Sequence, residues 1–213
     1  MLSERRSDKI AAKRKMGNMV LRRYQMLKYA FVINVAGESP ETYSTVYENE
    51  ESRSIVAGVD GMEAGKRYVA TLVEEGFTCI NLCGDFNDRI TAQMRQAAGD
   101  QVRIRHAEYA IEELAKLDRL ETLRDYGVII LMRGVDKPYE AVLRCDKCDT
   151  RIIFVRDMTQ AKRAAEKLVA KRVNFIELSS WFDRLRMDSI VKAIRGAVPV
   201  GTCGDLYMRD LED

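Results

Sequence analysis

The sequence predicts an α/β protein built from two tandem copies of a small β-α-β-α-β unit, and three observations carry that expectation. Near-continuous apolar runs of strand length alternate with amphipathic segments of helical period. The order strand, helix, strand, helix, strand favours parallel pairing through right-handed crossovers. The pattern also occurs twice in register along the 213 residues.

The repeat shows when residues 126 onward are laid under residues 29 onward. Tyr29, Gly37 and Ile55 fall over Tyr126, Gly134 and Ile152 at a constant offset of 97. After one deletion, MEAGKRYVATLV (62–73) lies over MTQAKRAAEKLV (158–169), and CINLCGDF (79–86) over FIELSSWF (175–182). The period is too long for a short solenoid repeat, so each copy should be a small domain.

A basic arm, residues 1–27, comes first. Residues 1–28 carry a charge of +7, which leaves −5 for the rest of a chain whose net charge is +2. Ile10, Met16, Met19, Val20 and Met26 suit an interrupted helix with Gly17-Asn18 as its weak point. The first copy, 28–107, begins with strand KYAFVINV (28–35). YSTVYENEE then has room for an extra hairpin strand before SIVAGV (54–59). A helix over 62–75 behind Asp60 as N-cap, a strand over 78–83, a helix over 88–98 and a strand over 101–106 complete it.

Residues 108–124 read as a connecting helix, with Ile111, Leu114, Leu117, Leu120 and Leu123 available for packing. The second copy, 125–213, repeats the order: YGVIILM (126–132), a hairpin stretch YEAVLRCDKCD, then RIIFV (151–155). A helix over 158–171 behind Asp157, a strand over 174–179, a helix over 184–195 and a strand over 198–203 follow. No Pro/Gly/Ser linker separates the copies, so they are expected to pack as a pseudo-twofold pair that mimics a dimer. A single closed barrel is the alternative.

Composition narrows the function classes. No window approaches the roughly 18 apolar residues of a membrane span, and the first thirty residues lack a signal-peptide core. Five cysteines, an odd number, suit reduced thiols. The expected setting is cytoplasmic, without a membrane partner. One histidine, His106, excludes a histidine-rich metal site. CDKC (145–148) lacks a second cysteine pair and leads into a strand rather than a helix. No metal is expected, and no cofactor is assigned.

Ligands of open α/β sheets bind outside the carboxyl ends of the strands. In the first copy that edge gathers Asp60, Cys83, Gly84, Asp85, His106 and Glu108; in the second, Asp157, Ser179, Ser180, Trp181, Thr202, Cys203 and Asp205. Cys83 and His106 form the candidate catalytic pair, thiol as nucleophile and imidazole as base, with Asp85 or Glu108 orienting the ring. Asn81 and Glu177 occupy the same slot of an apolar strand, where a carboxylate needs a partner and has a perturbed pKa. Trp181, the only tryptophan, is a candidate ligand platform. The glycine turns at 58–61 and 83–85 match neither a P-loop nor the dinucleotide fingerprint.

IVAGV (55–59), INLCGDF (80–86), FIELSSWF (175–182) and VPVG (198–201) together resemble a family of small prokaryotic single-domain proteins of unknown function, whose strands read like IELCGGF and VPVG. The resemblance covers both copies. It implies the α/β unit and supplies no reaction. The first copy has Val-Arg-Ile-Arg in place of VPVG, and the second has Ser-Ser-Trp in place of Cys-Gly, so neither copy holds the whole pattern. The expected function is binding of a small molecule or a protein at strand C-terminal edges. The alternatives are an enzyme using Cys83 and His106, and a scaffold or nucleic-acid-associated protein using the basic arm. No oligomeric state is assigned.

Overall fold

The computed structural model describes residues 26–207, so the basic arm and its nucleic-acid expectation lie outside the described residues. In the first half, β1 (Leu27–Asn34), β3 (Ser52–Val59), β4 (Cys79–Cys83) and β5 (Arg103–His106) run parallel. The edge strand β2 (Ser44–Glu48) returns antiparallel on β3, in the sheet order β2-β3-β1-β4-β5. Helices α1 (Gly61–Glu74) and α2 (Asp88–Ala98) form the crossovers. The second half repeats this with β7 (Asp125–Leu131), β8 (Tyr139–Arg144), β9 (Asp149–Val155), α4 (Met158–Ala170), β10 (Phe175–Leu178), α5 (Arg184–Ala193) and β11 (Val200–Thr202). Its order is β8-β9-β7-β10-β11, extended at the edge by β6 (Glu108–Tyr109). The hairpin strand is present in both halves.

Alternation along each strand sorts its side chains into two cores. Ala30, Val32, Ile80, Leu82 and Ile104 face the helices with Val69, Leu72 and Met94. Ile129, Ile153, Ile176 and Leu178 do the same with Ala161, Leu168, Met187 and Ile190. The other set, Phe31, Ile33 and Val56 against Val128, Ile130, Ile152 and Phe154, forms a core between the sheets. The result is four layers: helices, sheet, sheet, helices.

Around β1, β3, β4 and β7 the sheets face each other with strand starts against strand ends, while at the edge the ends of β5 and β11 meet through Arg105 and Asp205. Ser52 Oγ, at the start of β3, donates to the carbonyl of Arg133 beyond β7 (2.8 Å). Cys83 at the end of β4 meets the Tyr126 hydroxyl at the start of β7 (3.7 Å), and reciprocally Ser179, just past the end of β10, hydrogen-bonds the Tyr29 side chain at the start of β1. This reciprocity is what an approximate twofold relation produces.

Two expectations need correction. Ile55 faces the helices and Ile152 the other sheet, so the two are not equivalent. The strand pairing matches Ser54 with Tyr29 and Thr150 with Tyr126, which moves the one-residue deletion ahead of β3 and β9. The connecting helix is also shorter than 108–124. Glu108 and Tyr109 pair with β11, and α3 spans only Ile111–Leu117, leaving Ile111, Leu114 and Leu123 exposed. The free edge of β11 offers backbone hydrogen bonds that the helix would forgo, and Ala110 at the N-cap makes no side-chain cap bond.

Tyr43 ties the halves together. Its buried hydroxyl lies 2.7 Å from Thr150 Oγ1 and donates toward the Cys148 carbonyl (3.2 Å). Gly58 leaves room for the ring, because a Cβ there would meet it at 2.9 Å. Tyr43→Phe is expected to lower stability by about 1–2 kcal/mol, read as a lower urea midpoint with an unchanged m-value.

Candidate functional site

β4 and β10 each bring one polar residue into the inter-sheet layer. Asn81 and Glu177 are buried, at 0% and 3% exposure. Asn81 Oδ1 accepts from the Tyr29 hydroxyl (2.5 Å) and from the Ser180 N–H of the other half (2.8 Å); its Nδ2 has no partner among the described residues. Glu177 Oε1 accepts from the Tyr109 hydroxyl (2.9 Å) and Oε2 has no hydrogen-bond partner among the described residues. Tyr109 reaches it by lying across Gly201, where a Cβ would stand 2.5 Å from the ring.

Burial pushes the Glu177 carboxyl up from an ordinary 4.5 to about 7, although the neighbouring Cys83 and Tyr109 act to lower it. Burial first, and the Glu177 charge second, push the Cys83 thiol and the Tyr109 phenol well above their ordinary values. Cys83 is therefore a protonated thiol, 3% exposed.

His106 is elsewhere. It pairs in register with Leu82, which faces the helices, and its Nδ1 lies 3.2 Å from Thr91 Oγ1 of α2. Cys83, one residue further along β4, faces the second sheet. The sheet itself separates thiol from imidazole, so the structure contains no Cys83–His106 pair and no nucleophile–base geometry there.

The strand-end edge of the first half is filled beside β1 and β4. Asn34, which the sequence did not single out, receives the Gly61 N–H on Oδ1 (2.9 Å) and donates through Nδ2 to Asp85 (3.1 Å). Gly84 turns beside it at φ +90°, where a Cβ would come within 3.0 Å of Asn34 Cβ. Leu117 and Leu120 of the connecting segment pack on the inter-sheet core at this end. Asp60 is exposed and its side chain makes no cap bond, whereas Asp157 caps α4 through the Gln160 N–H (2.9 Å). Thr202 bonds the Phe182 carbonyl, Cys203 is fully buried, and Asp205 pairs with Arg105.

At the other end a cleft of about 680 Å³ remains. The strand ends of the second sheet contribute Met132, Arg133, Ser179, Ser180 and Trp181; the strand starts of the first contribute Tyr29, Cys79 and Arg103. Ser179 accepts from the Leu131 N–H (3.2 Å) and hydrogen-bonds the Tyr29 side chain. Trp181 is 39% exposed, with Arg186 stacked 4.3 Å over its ring and Phe182 edge-on. Arg103 and Arg133 form no ion pair among the described residues. Of the sequence-derived candidates, Ser179, Ser180 and Trp181 line this cleft, and Asn81 anchors the Ser180 backbone. Tyr29, Cys79, Arg103 and Arg133 were missed. The first three lie at strand starts, and only the head-to-tail stacking of the sheets carries them to a strand-end site.

Fold and cleft together define a four-layer α/β protein with a cavity between its halves that Trp181, Tyr29, Arg103, Arg133 and the single carboxylate Asp100 line. Residues 27–122 and 124–205 each match the family of unknown function DUF6506, and the chain belongs to that family. The two matched segments agree with a repeated unit. No curated protein matches the sequence. Among solved structures it is similar to the solute-binding protein of an ABC transporter from Clostridium phytofermentas with bound L-rhamnose, at 11% identity over 83% of this chain and 68% of that chain, TM-score 0.32. It is similar also to a periplasmic solute-binding protein from Actinobacillus succinogenes 130z with bound D-allose, at 11% over 82% and 77%, TM-score 0.26. An NtrC family transcriptional regulator from Clostridium acetobutylicum gives 9% over 85% and 89%, TM-score 0.28. Among the described residues no helix is long and apolar enough to cross a membrane.

Glu177 makes stability depend on pH. Its folded pKa, about 7, lies above the ordinary 4.5, so between these values the folded protein keeps a proton that the unfolded chain has released. That contribution is whole below the lower value and is lost as pH rises through the upper one. Urea unfolding is expected to show wild type losing about 2–3 kcal/mol relative to Glu177→Gln between pH 5 and pH 8.

Proposed function

We propose that the protein binds a small amphipathic anion in the cleft between the strand ends of the second half and the strand starts of the first. One observation carries this reading: across a cavity of about 680 Å³, an aromatic face held by Arg186 stands with two arginines that have no ion-pair partner among the described residues. The volume falls in the range of small-molecule sites. Leu27, Met132 and the indole supply apolar contact, Arg103 and Arg133 oppose an anionic group, and Ser180 offers a hydroxyl.

The same geometry favours binding over nucleophilic catalysis, since the one cysteine–histidine pair foreseen is divided by a sheet. Descent of the two halves by duplication accounts for the two family matches; on this reading Asn34 has filled one copy's strand-end edge beside β1 and β4, while the other copy's has stayed open beside β7 and β10. Five unpaired cysteines support a reducing, cytoplasmic setting.

Because Trp181 is the only tryptophan, its emission reports on this cleft alone. Titration with 8-anilinonaphthalene-1-sulfonate, an amphipathic anion, is expected to give saturable energy transfer from Trp181. Arg103→Ala and Arg133→Ala should each weaken it about tenfold, the loss of one charge-assisted contact. Absence of saturable transfer, or affinity that neither substitution changes, would overturn the reading.

A further inference from the structure

We infer that Asp88, His106 and Glu108 form a three-ligand site for a divalent transition metal of zinc-like preference. Three elements converge there: the first residue of α2, the last of β5 and the first of β6. His106 Nε2 lies 3.9 Å from Asp88 Oδ1 and 3.9 Å from Glu108 Oε1, and the three ligand atoms all fall within 4.8 Å of one another. The ring nitrogen thus has two carboxylate oxygens around it at distances too long for hydrogen bonds.

An ion placed between the three atoms would sit about 2.4 Å from each, so closing each contact by a few tenths of an ångström gives the roughly 2.0–2.2 Å of zinc with nitrogen and oxygen ligands. The imidazole is already oriented for that task. Its Nδ1 is engaged by the buried Thr91 hydroxyl at 3.2 Å, and the tautomer donating there leaves the Nε2 lone pair toward the carboxylates. A hydrogen bond on the second ring nitrogen is the usual support of a metal-bound histidine. The side chain of His106 is 11% exposed and Glu108 39%, while Asp88, 92% exposed, is free to swing onto an ion.

The donor set chooses the metal. One imidazole and two carboxylates suit zinc and its first-row neighbours, whereas calcium and magnesium prefer oxygen alone. Three protein ligands leave the fourth position to water, facing a concavity of about 400 Å³ that Arg105 and Tyr207 also line. None of the three ligands lines the Trp181 cleft, although Arg103 borders both cavities, and the site does not rest on that cleft.

Zinc titration of the chelator-treated full chain by calorimetry tests the assignment. One equivalent is expected to bind, at least about tenfold more weakly in Asp88→Asn and more weakly still in His106→Gln. Asp88 is nearly fully exposed, so its variant is expected to fold as wild type does. The double variant Cys145→Ser/Cys148→Ser should bind as wild type does, and bound cobalt should lack thiolate charge-transfer absorption. No binding above background, or binding that survives His106→Gln and disappears with the two cysteines, would overturn the site.

Discussion

Every helical crossover among the described residues falls on one side of its sheet, and the rest of the structure depends on that. In each half the chain steps from the strand beside the hairpin, over the first strand, and onward in one direction, so right-handed connections place both helices on the same face. The opposite face, with Phe31, Ile33 and Val56 or Val128, Ile130 and Phe154, has no cover of its own. At about 2 kcal/mol for each large apolar side chain, exposing these six alone costs about 12 kcal/mol, comparable with the whole stability of a domain. Each half therefore serves as the missing layer of the other.

An apolar interface of this kind would tolerate sliding, and its polar residues oppose that. Asn81 accepts at once from Tyr29 of its own sheet and from the Ser180 backbone of the other, and the Tyr43 hydroxyl reaches Thr150 across the same layer. A shift of either sheet would strand these buried groups without partners, at roughly 1–3 kcal/mol each. The register they hold is also what sets Arg103 opposite Trp181 at one end, while the segment joining the halves packs Leu117 and Leu120 over the other.

The order of elements was legible because alternation and helical period are local properties: α2 runs from residue 88 to 98 as its pattern predicts, and both hairpin strands lie where the polar stretches suggested. The shared slot of Asn81 and Glu177 was legible too, since an aligned repeat displays it directly. Quantities set by pairing between distant strands were not. The spacing of Cys83 and His106 says nothing about which faces they take, and the Leu82–His106 register that separates them exists only once β5 has docked on β4. Ile55 and Ile152 are identical residues on opposite faces because a one-residue deletion in a polar loop leaves no local trace. The connecting segment looked helical throughout because its leucines fit that period, while the competing claim of the β11 edge on Tyr109 came from ninety residues away.

The slot shared by Asn81 and Glu177 has a consequence for economy of charge. In a symmetric pair of separate chains, any substitution near the axis is made twice, and a glutamate in that slot would bury two carboxyl groups in one dry layer. A single chain that carries both halves escapes this rule: it keeps an amide in one slot to pin the register and a carboxyl in the other to hold a proton. Joining the halves thus lets one interface do two unlike jobs, which no exact dimer of either half can do.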